Sequence, residues 1–302
     1  NIYYRVYVNM EKLHKNKQKA KFNLGIIGNG YVGGTATKAF SRECNILTYD
    51  KYQEKYTNPE VLIDAKIIFL CVPTPMKKTG EMDNSAIYSA MDTLSELKYK
   101  KTKPLVVIRS TSIPGTTDLL DKKYDFDFVF NPEFLREKHA LEDFLNSNRV
   151  IFGVKNQRDF NKVKSLYKKV LPDAKYVKTT RKAAEMIKYA ANITLASQIT
   201  IANEMHNICG KLGVDYDEVK NALLLDERIG TNIDVPGPDN NPGFGGKCFP
   251  KDLNALIYLA EKQGYSPDLF KQVWASNLKF RENQDWNKIP GATSKNKNFK
   301  KK

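Results

Sequence analysis

Ten residues, Gly243-Phe244-Gly245-Gly246-Lys247-Cys248-Phe249-Pro250-Lys251-Asp252, place one thiol just behind three glycines in four positions. A lysine and an aspartate follow within a turn. Glycine lets a backbone approach a ligand closely and turn through φ > 0. A cation near a thiol favours the thiolate, the nucleophilic form. Taken alone, the stretch reads equally as a glycine turn entering a helix, with Cys248 as a small buried hydrophobe. Lys188 and Asn192, four residues apart in a long helical pattern, share one face. Ala183, Ala184, Ala190, Ala191 and Ala196 around them permit close packing, and a solvated pair is the plain alternative.

A second constellation lies near the start. Gly28-Asn29-Gly30-Tyr31-Val32-Gly33 follows the apolar run 22–27 and opens a helical pattern. Asp50 closes the next apolar run, twenty residues after Gly30. A lone G-x-G-x-x-G is weak, but between strand and helix, with an acid at that distance, it is a dinucleotide-binding fingerprint. Gly28 would make the tight turn, Gly30 admit a pyrophosphate to the helix N-terminus and Gly33 let helix and strand pack. A carboxylate at Asp50 suits the ribose hydroxyls of NAD and repels a 2′-phosphate, though Lys51 beside it softens that preference.

These motifs need elements to hold them. Apolar runs at 22–27, 45–50, 66–72, 105–108, 126–130 and 150–154 predict strands, and helical patterns intervene at 32–40, 84–98 and 157–170. The near-continuous apolar run 66–72 is that of a parallel strand buried on both faces. Polar clusters fall where strands end: Pro73-Thr74-Pro75, Arg109 to Thr117, and Asn131-Pro132-Glu133. That is where open α/β sheets bind ligands. From about 179 the pattern is helical, with a long helix over 181–213 stopped by Gly210 and Gly213, and shorter helices at 215–225, 251–263 and 266–283. The fold expected is α/β: an N-terminal Rossmann-type parallel-sheet domain over 22–178, then an all-helical domain over 179–286 with a long central helix. A basic arm, 1–21, and a basic tail, 287–302, flank them.

The formal charge of +15 sits mostly in those ends, and without them the body carries about +4. Such ends read as solvated, which leaves a nucleic-acid role resting on charge alone. A mildly basic body suits an anionic small substrate. The four cysteines, Cys44, Cys71, Cys209 and Cys248, are widely spaced, as free thiols of a reducing, cytoplasmic compartment would be. With three histidines, a zinc site is not supported, and no metal is expected. No apolar run reaches the length of a membrane span.

The motifs together resemble the UDP-glucose/GDP-mannose dehydrogenase family. The matching segments, in the family's order, are GNGYVG at 28–33, FLCVPTP at 69–75, RSTSIPGTT at 109–117, NPEFLRE at 131–137, KYAAN at 188–192, ERIG at 227–230 and GFGGKCFPKD at 243–252. Related dehydrogenases of 3-hydroxy acids share a lysine and an asparagine on a long helix but lack the cysteine loop. The run Pro132-Glu133-Phe134-Leu135-Arg136-Glu137 resembles members acting on glucose or mannose nucleotides. Gly-Phe-Gly-Gly directly before Lys-Cys favours the UDP-glucose branch over the GDP-mannose one.

The resemblance implies an NAD-dependent, four-electron oxidation of a UDP-sugar. It makes Cys248 the covalent nucleophile, and Lys188 and Asn192 the partners of developing oxyanions. Glu133 and Asp252 are the candidate bases, with Thr111 positioning water. NAD would be held by Gly28, Asn29, Gly30, Tyr31, Val32, Gly33, Asp50, Pro73, Thr74, Thr111 and Glu137. The sugar nucleotide would meet Glu133, Phe134, Leu135, Lys188, Phe244, Gly245, Gly246 and Lys251. Arg228 would reach it from the neighbouring subunit of a homodimer formed through the helical domain. Family members usually continue into a third, Rossmann-like domain that this sequence does not include, so the expectation is a domain encoded separately, a truncated sequence or a minimal form.

Overall fold

In a computed structural model, which describes residues 22–99, 102–227 and 229–294, the chain forms two compact units. The first holds residues up to Pro73 together with Ala86–Glu185; the second holds Thr74–Ser85 and the chain from Met186.

The first unit is built on a seven-stranded sheet: β1 (Asn23–Ile27), β2 (Asn45–Tyr49), β3 (Ile67–Leu70), β4 (Leu105–Ile108), β5 (Asp127–Phe130), β6 (Arg149–Gly153) and β7 (Lys175–Thr179). The spatial order is β2-β1-β3-β4-β5-β6-β7. Helices α1 (Tyr31–Phe40), α2 (Ser85–Glu96), α3 (Thr116–Lys123), α4 (Ala140–Leu145) and α5 (Gln157–Tyr167) lie between strands in sequence. Every residue of β3 and β4 is buried, as in a sheet covered on both faces. One aromatic knot fills the core: Phe40 packs edge-on to Phe69, Phe144 and Tyr167, with ring centroids 5.2–5.8 Å apart.

Two features of the sheet differ from the expectation. β5 and β6 pair antiparallel, at Phe130 opposite Gly153, so the sheet is mostly rather than wholly parallel. β7 was not anticipated, because Lys-Tyr-Val-Lys-Thr is an edge strand with no continuous apolar run.

Helix α6 (Arg181–Leu212) is 32 residues long and passes through the division between the units. Its first turn is fastened within the first unit by Glu185, whose carboxylate accepts from the N–H groups of Gly115 and Thr117 and from the Thr117 hydroxyl. Burial raises the Glu185 pKa against those three bonds. Gly213, at φ +71°, ends α6, whereas Gly210 remains inside it. The second unit adds α7 (Tyr216–Leu223), α8 (Phe249–Lys262) and α9 (Asp268–Phe280).

Residues 287–294, expected to belong to a basic tail, are partly ordered against the same unit. Thr293 bridges Met76, Ala292 O accepts from Met76 N, and Ala292 is buried. The arm 1–21 and residues 295–302 lie outside the described residues. Among the described residues no helix is long and apolar enough to cross a membrane.

Candidate active site

The glycine fingerprint folds as its residue types require. Gly28 turns at φ +82°, and a Cβ there would lie 2.6 Å from Cys71 O. A Cβ on Gly33 would lie 1.9 Å from Gly28 O, so helix α1 can pack this closely only without one. At Gly30 a Cβ would meet nothing within 4 Å, which leaves an open face at the N-terminus of α1. That N-terminus has no side-chain cap, and its N–H groups suit a phosphate. Asn29 Oδ1 is buried without a hydrogen-bond partner among the described residues. Tyr31 and Val32 form the first turn of α1.

Asp50 follows β2 and is 8 % exposed. Its carboxylate accepts from Asn29 N at 2.7 Å, Tyr52 N at 2.9 Å and Gln53 Nε2 at 3.1 Å. Gln53, which the sequence did not single out, accepts from Asn29 Nδ2 at 3.3 Å and donates to Asn29 O at 3.1 Å. The dinucleotide fits this cradle: a bare glycine face, an uncapped helix end and a fixed carboxylate.

Loops after the next strands carry the other predicted residues of this unit. Pro73 is exposed after β3, and Thr111 is half-buried after β4. Glu133, after β5, is 6 % exposed and accepts from Leu135 N at 2.9 Å and from the Tyr31 hydroxyl at 3.3 Å. Tyr31 also donates to Leu135 O at 2.8 Å, so one phenol joins the fingerprint to the 131–137 loop. Phe134 is half-buried with the Arg149 guanidinium over its ring, and Glu137 is exposed. Beneath this loop cluster Arg109 is 3 % exposed, sandwiched between Phe69 and Phe144.

The second unit holds the thiol. Cys248 is the N-cap of α8, half-buried, with Pro250 in the first turn behind it. A helix N-terminus stabilises negative charge placed there. Two other thiols are held back by burial, which pushes Cys44 up to about 11 and Cys71 up to about 12.

One turn into α8, Asp252 is fully buried. It pairs with Lys251 and accepts from Asn192 Nδ2 at 2.5 Å. Lys188 is 4 % exposed and Asn192 6 %, so this helical pair is not a solvated one. Lys251, expected at the sugar and diphosphate, is 8 % exposed and engaged by its neighbour. Thr74, buried, belongs to this unit. Phe244 is 2 % exposed and packs with Phe249 and Trp274, while Gly245 and Gly246 are half-buried. Arg228 lies outside the described residues.

Sequence reasoning missed the groups that brace the glycine loop. Asn203 on α6 accepts from Gly243 N, Asn277 on α9 bonds both the N–H and C=O of Phe244, and Asp285 accepts from Gly246 N. Arg281 is 1 % exposed and pairs with Asp239 and Asp285. Val273, Asn277 and Arg281 recur every four residues, so two polar side chains on an otherwise apolar stripe were the available signal. No group of three or more His, Cys, Asp or Glu able to hold a metal occurs among the described residues.

The sheet, the glycine turn and the acid after β2 define a dinucleotide-binding protein of the Rossmann class, joined here to a helical unit with a thiol at a helix start. Residues 51–171 match the NAD binding domain of the UDP-glucose/GDP-mannose dehydrogenase family, and residues 182–279 match that family's central domain. The chain belongs to this family. It is 39% identical over 233 residues to UDP-glucose 6-dehydrogenase of Rickettsia felis, covering 75% of this chain and 50% of the relative. To the UDP-glucose 6-dehydrogenase of Haloferax volcanii it is 34% identical over 294 residues, covering 82% and 67%. Among solved structures, a UDP-glucose dehydrogenase from Pyrobaculum islandicum superposes with a TM-score of 0.74 at 28% identity, covering 87% of this chain and 70% of that one. The chain thus spans about half the length of the first curated relatives it matches.

Proposed function

We propose that this chain oxidises the 6-hydroxymethyl group of UDP-glucose to the carboxylate of UDP-glucuronate, with Cys248 as covalent nucleophile. The observation that carries the reading is Cys248 at the uncapped start of α8, one turn from the Lys251–Asp252–Asn192 cluster. The relatives named UDP-glucose 6-dehydrogenase support the substrate.

NAD, when bound, accepts the hydride in each of the two oxidations. Gly28 to Gly33 and Asp50 bind and orient it. After the first oxidation the Cys248 thiolate adds to the aldehyde, giving a thiohemiacetal that holds the carbon against hydration and escape. Loss of a second hydride gives a thioester, and water releases the acid. Lys188 supplies positive charge for the oxyanions. Asn192 spends one amide hydrogen on Asp252 and keeps a second for the same purpose. Asp252, tied to Lys251 and Asn192, acts by holding those donors; Glu133 takes the water-activating role, with Thr111 positioning the water.

A homodimer is part of this proposal. Ile201, Met205, Ile208 and Leu212 follow one another at four, three and four residues on α6, and they are 49–72 % exposed. A stripe with this spacing fits a second copy of the same helix. We place the reaction in the reducing cytoplasm, where a free thiolate persists, and assign completion of the nucleotide site to a third domain. GDP-mannose is the second substrate reading, because the chain is also similar, at 27% identity, to a GDP-mannose dehydrogenase of Pseudomonas aeruginosa. Supplying each nucleotide sugar in turn with NAD and following NADH absorbance separates them: reduction with UDP-glucose supports the first, with GDP-mannose alone the second. A chain that only binds NAD reduces it with neither.

A further inference from the structure

The loop Gly243-Phe244-Gly245-Gly246 turns through φ +69° at Gly243 and φ +75° at Gly246. Three glycines in four residues have little local preference to hold such a path. The path is held from outside instead, and Arg281 lies at the centre of what holds it. Its side chain is among the largest fully buried ones described, 1 % exposed. Nη2 donates to Asp239 Oδ2 at 2.5 Å, and Nε donates to Asp285 Oδ1 at 3.2 Å and to Asn283 O at 3.1 Å. Nη1 donates to Pro242 O at 3.4 Å.

Gly245 lies flat on this pair. A Cβ there would sit 2.3 Å from Arg281 Nη2, 2.4 Å from Cζ and 2.4 Å from Asp285 Oδ1. The other oxygen of Asp285 accepts from Gly246 N at 3.0 Å. One turn before Arg281, Asn277 takes the N–H of Phe244 at 2.8 Å and donates to its C=O at 2.9 Å. Two residues beyond Gly246 the chain reaches Cys248 and enters α8.

We infer that Arg281, through Asp285, is the positioning residue of the Cys248 loop. Its planar guanidinium forms the floor on which Gly245 rests, and the carboxylate it holds fixes the Gly246 N–H. Asp239 ties the preceding turn to the same cation. This inference rests on the reading of Cys248 as nucleophile, yet Arg281 touches neither the thiol nor any reacting atom. Its effect is on where the thiol stands. Displacement of a reacting group by about 1 Å costs on the order of 100-fold in rate.

The test uses the full chain carrying Arg281→Lys, which keeps the charge and loses the planar fork. Two rates are measured: alkylation of Cys248 by iodoacetamide, followed by mass spectrometry of its peptide, and kcat and KM for NADH formation from UDP-glucose. Affinity for NAD is measured by calorimetry as a check that the first unit is intact. Expected are a kcat lower by about 100-fold, an altered Cys248 alkylation rate and an unchanged NAD affinity. Wild-type alkylation and wild-type kcat in Arg281→Lys overturn the inference. Should that variant fail to fold, Asp285→Asn, which weakens the hold on Gly246 while leaving Arg281 on Asp239, must shift both rates in the same sense; unchanged rates again overturn it. Wild-type turnover by Cys248→Ala would instead remove the nucleophile reading, and the alkylation comparison would still report on Arg281.

Discussion

Asn192 Nδ2 and Asp252 Oδ2 meet at 2.5 Å, joining the middle of α6 to the first turn of α8 across 60 residues of sequence. Both side chains are buried, and the other oxygen of Asp252 is on the Lys251 ammonium. The carboxylate therefore neutralises a buried cation and aims an amide at once. Asp252→Asn leaves the ammonium without its counter-charge, and removing one partner of a buried pair costs about 3–5 kcal/mol. Denaturant titration should show that loss. The double variant Lys251→Met/Asp252→Asn should lose less than Asp252→Asn alone, because no buried charge is then stranded.

Gly33 and Gly34 are adjacent on α1 and should respond oppositely to alanine. A Cβ on Gly33 would lie 1.9 Å from the Gly28 carbonyl, whereas one on Gly34 would lie 3.7 Å from Asn29 O. Gly33→Ala must push α1 away from the fingerprint turn, at a cost of about 1–3 kcal/mol and with NAD binding weakened. Gly34→Ala should fold as well as wild type or better, since alanine favours helix over glycine by about 1 kcal/mol. Calorimetric NAD titration and thermal melts of the two variants check this.

The start of α6 should show pH-dependent stability. Arg181 donates to Asp118 and Asp121, and its hydrogen bond holds the Asp121 carboxyl below its ordinary value, with Lys155 adding to the effect. A carboxyl lowered in the folded state stabilises above its unfolded pKa, and that contribution is lost as pH falls through the folded value. Asp121→Asn should therefore cost stability at neutral pH, no more than about 1 kcal/mol given solvent screening. The difference in Tm from wild type should shrink as pH drops below about 4. A pH-independent difference would contradict this account.

The exposed stripe on α6 predicts the oligomeric state. Ile201→Glu with Ile208→Glu places charge at two positions that are 60 % and 49 % exposed, so the folded unit itself should tolerate them. Sedimentation equilibrium should give a dimer for wild type and a species near 34.5 kDa for the double variant. Identical masses would remove the stripe as the interface.

The parts of this molecule legible in its sequence are those with short-range signatures. The turn at Gly28 to Gly33, the buried strands β3 and β4 and the long helix α6 each write their geometry into consecutive residues. β7 escaped because this edge strand exposes Lys175 and Lys178 and only half-buries its other residues. The antiparallel β5–β6 pairing escaped because strand direction depends on the intervening chain, not on the strands' own residues. In the candidate site, Cys248 and the Lys188/Asn192 pair stood out by type and spacing. Asn203, Asn277, Arg281 and Asp285 did not, since each acts on a loop 33 to 40 residues away. Only the folded chain brings them there.

The central claim is that Cys248 carries the sugar carbon between two oxidations. The most direct measurement is NADH formed per UDP-glucose consumed by the full chain, wild type against Cys248→Ala, with the Cys248 peptide of wild type examined by mass spectrometry during turnover. The account predicts two NADH per sugar and a transient thioester on Cys248 for wild type, and a rate lower by at least about 100-fold for Cys248→Ala. Equal rates of complete oxidation by the two proteins would contradict it.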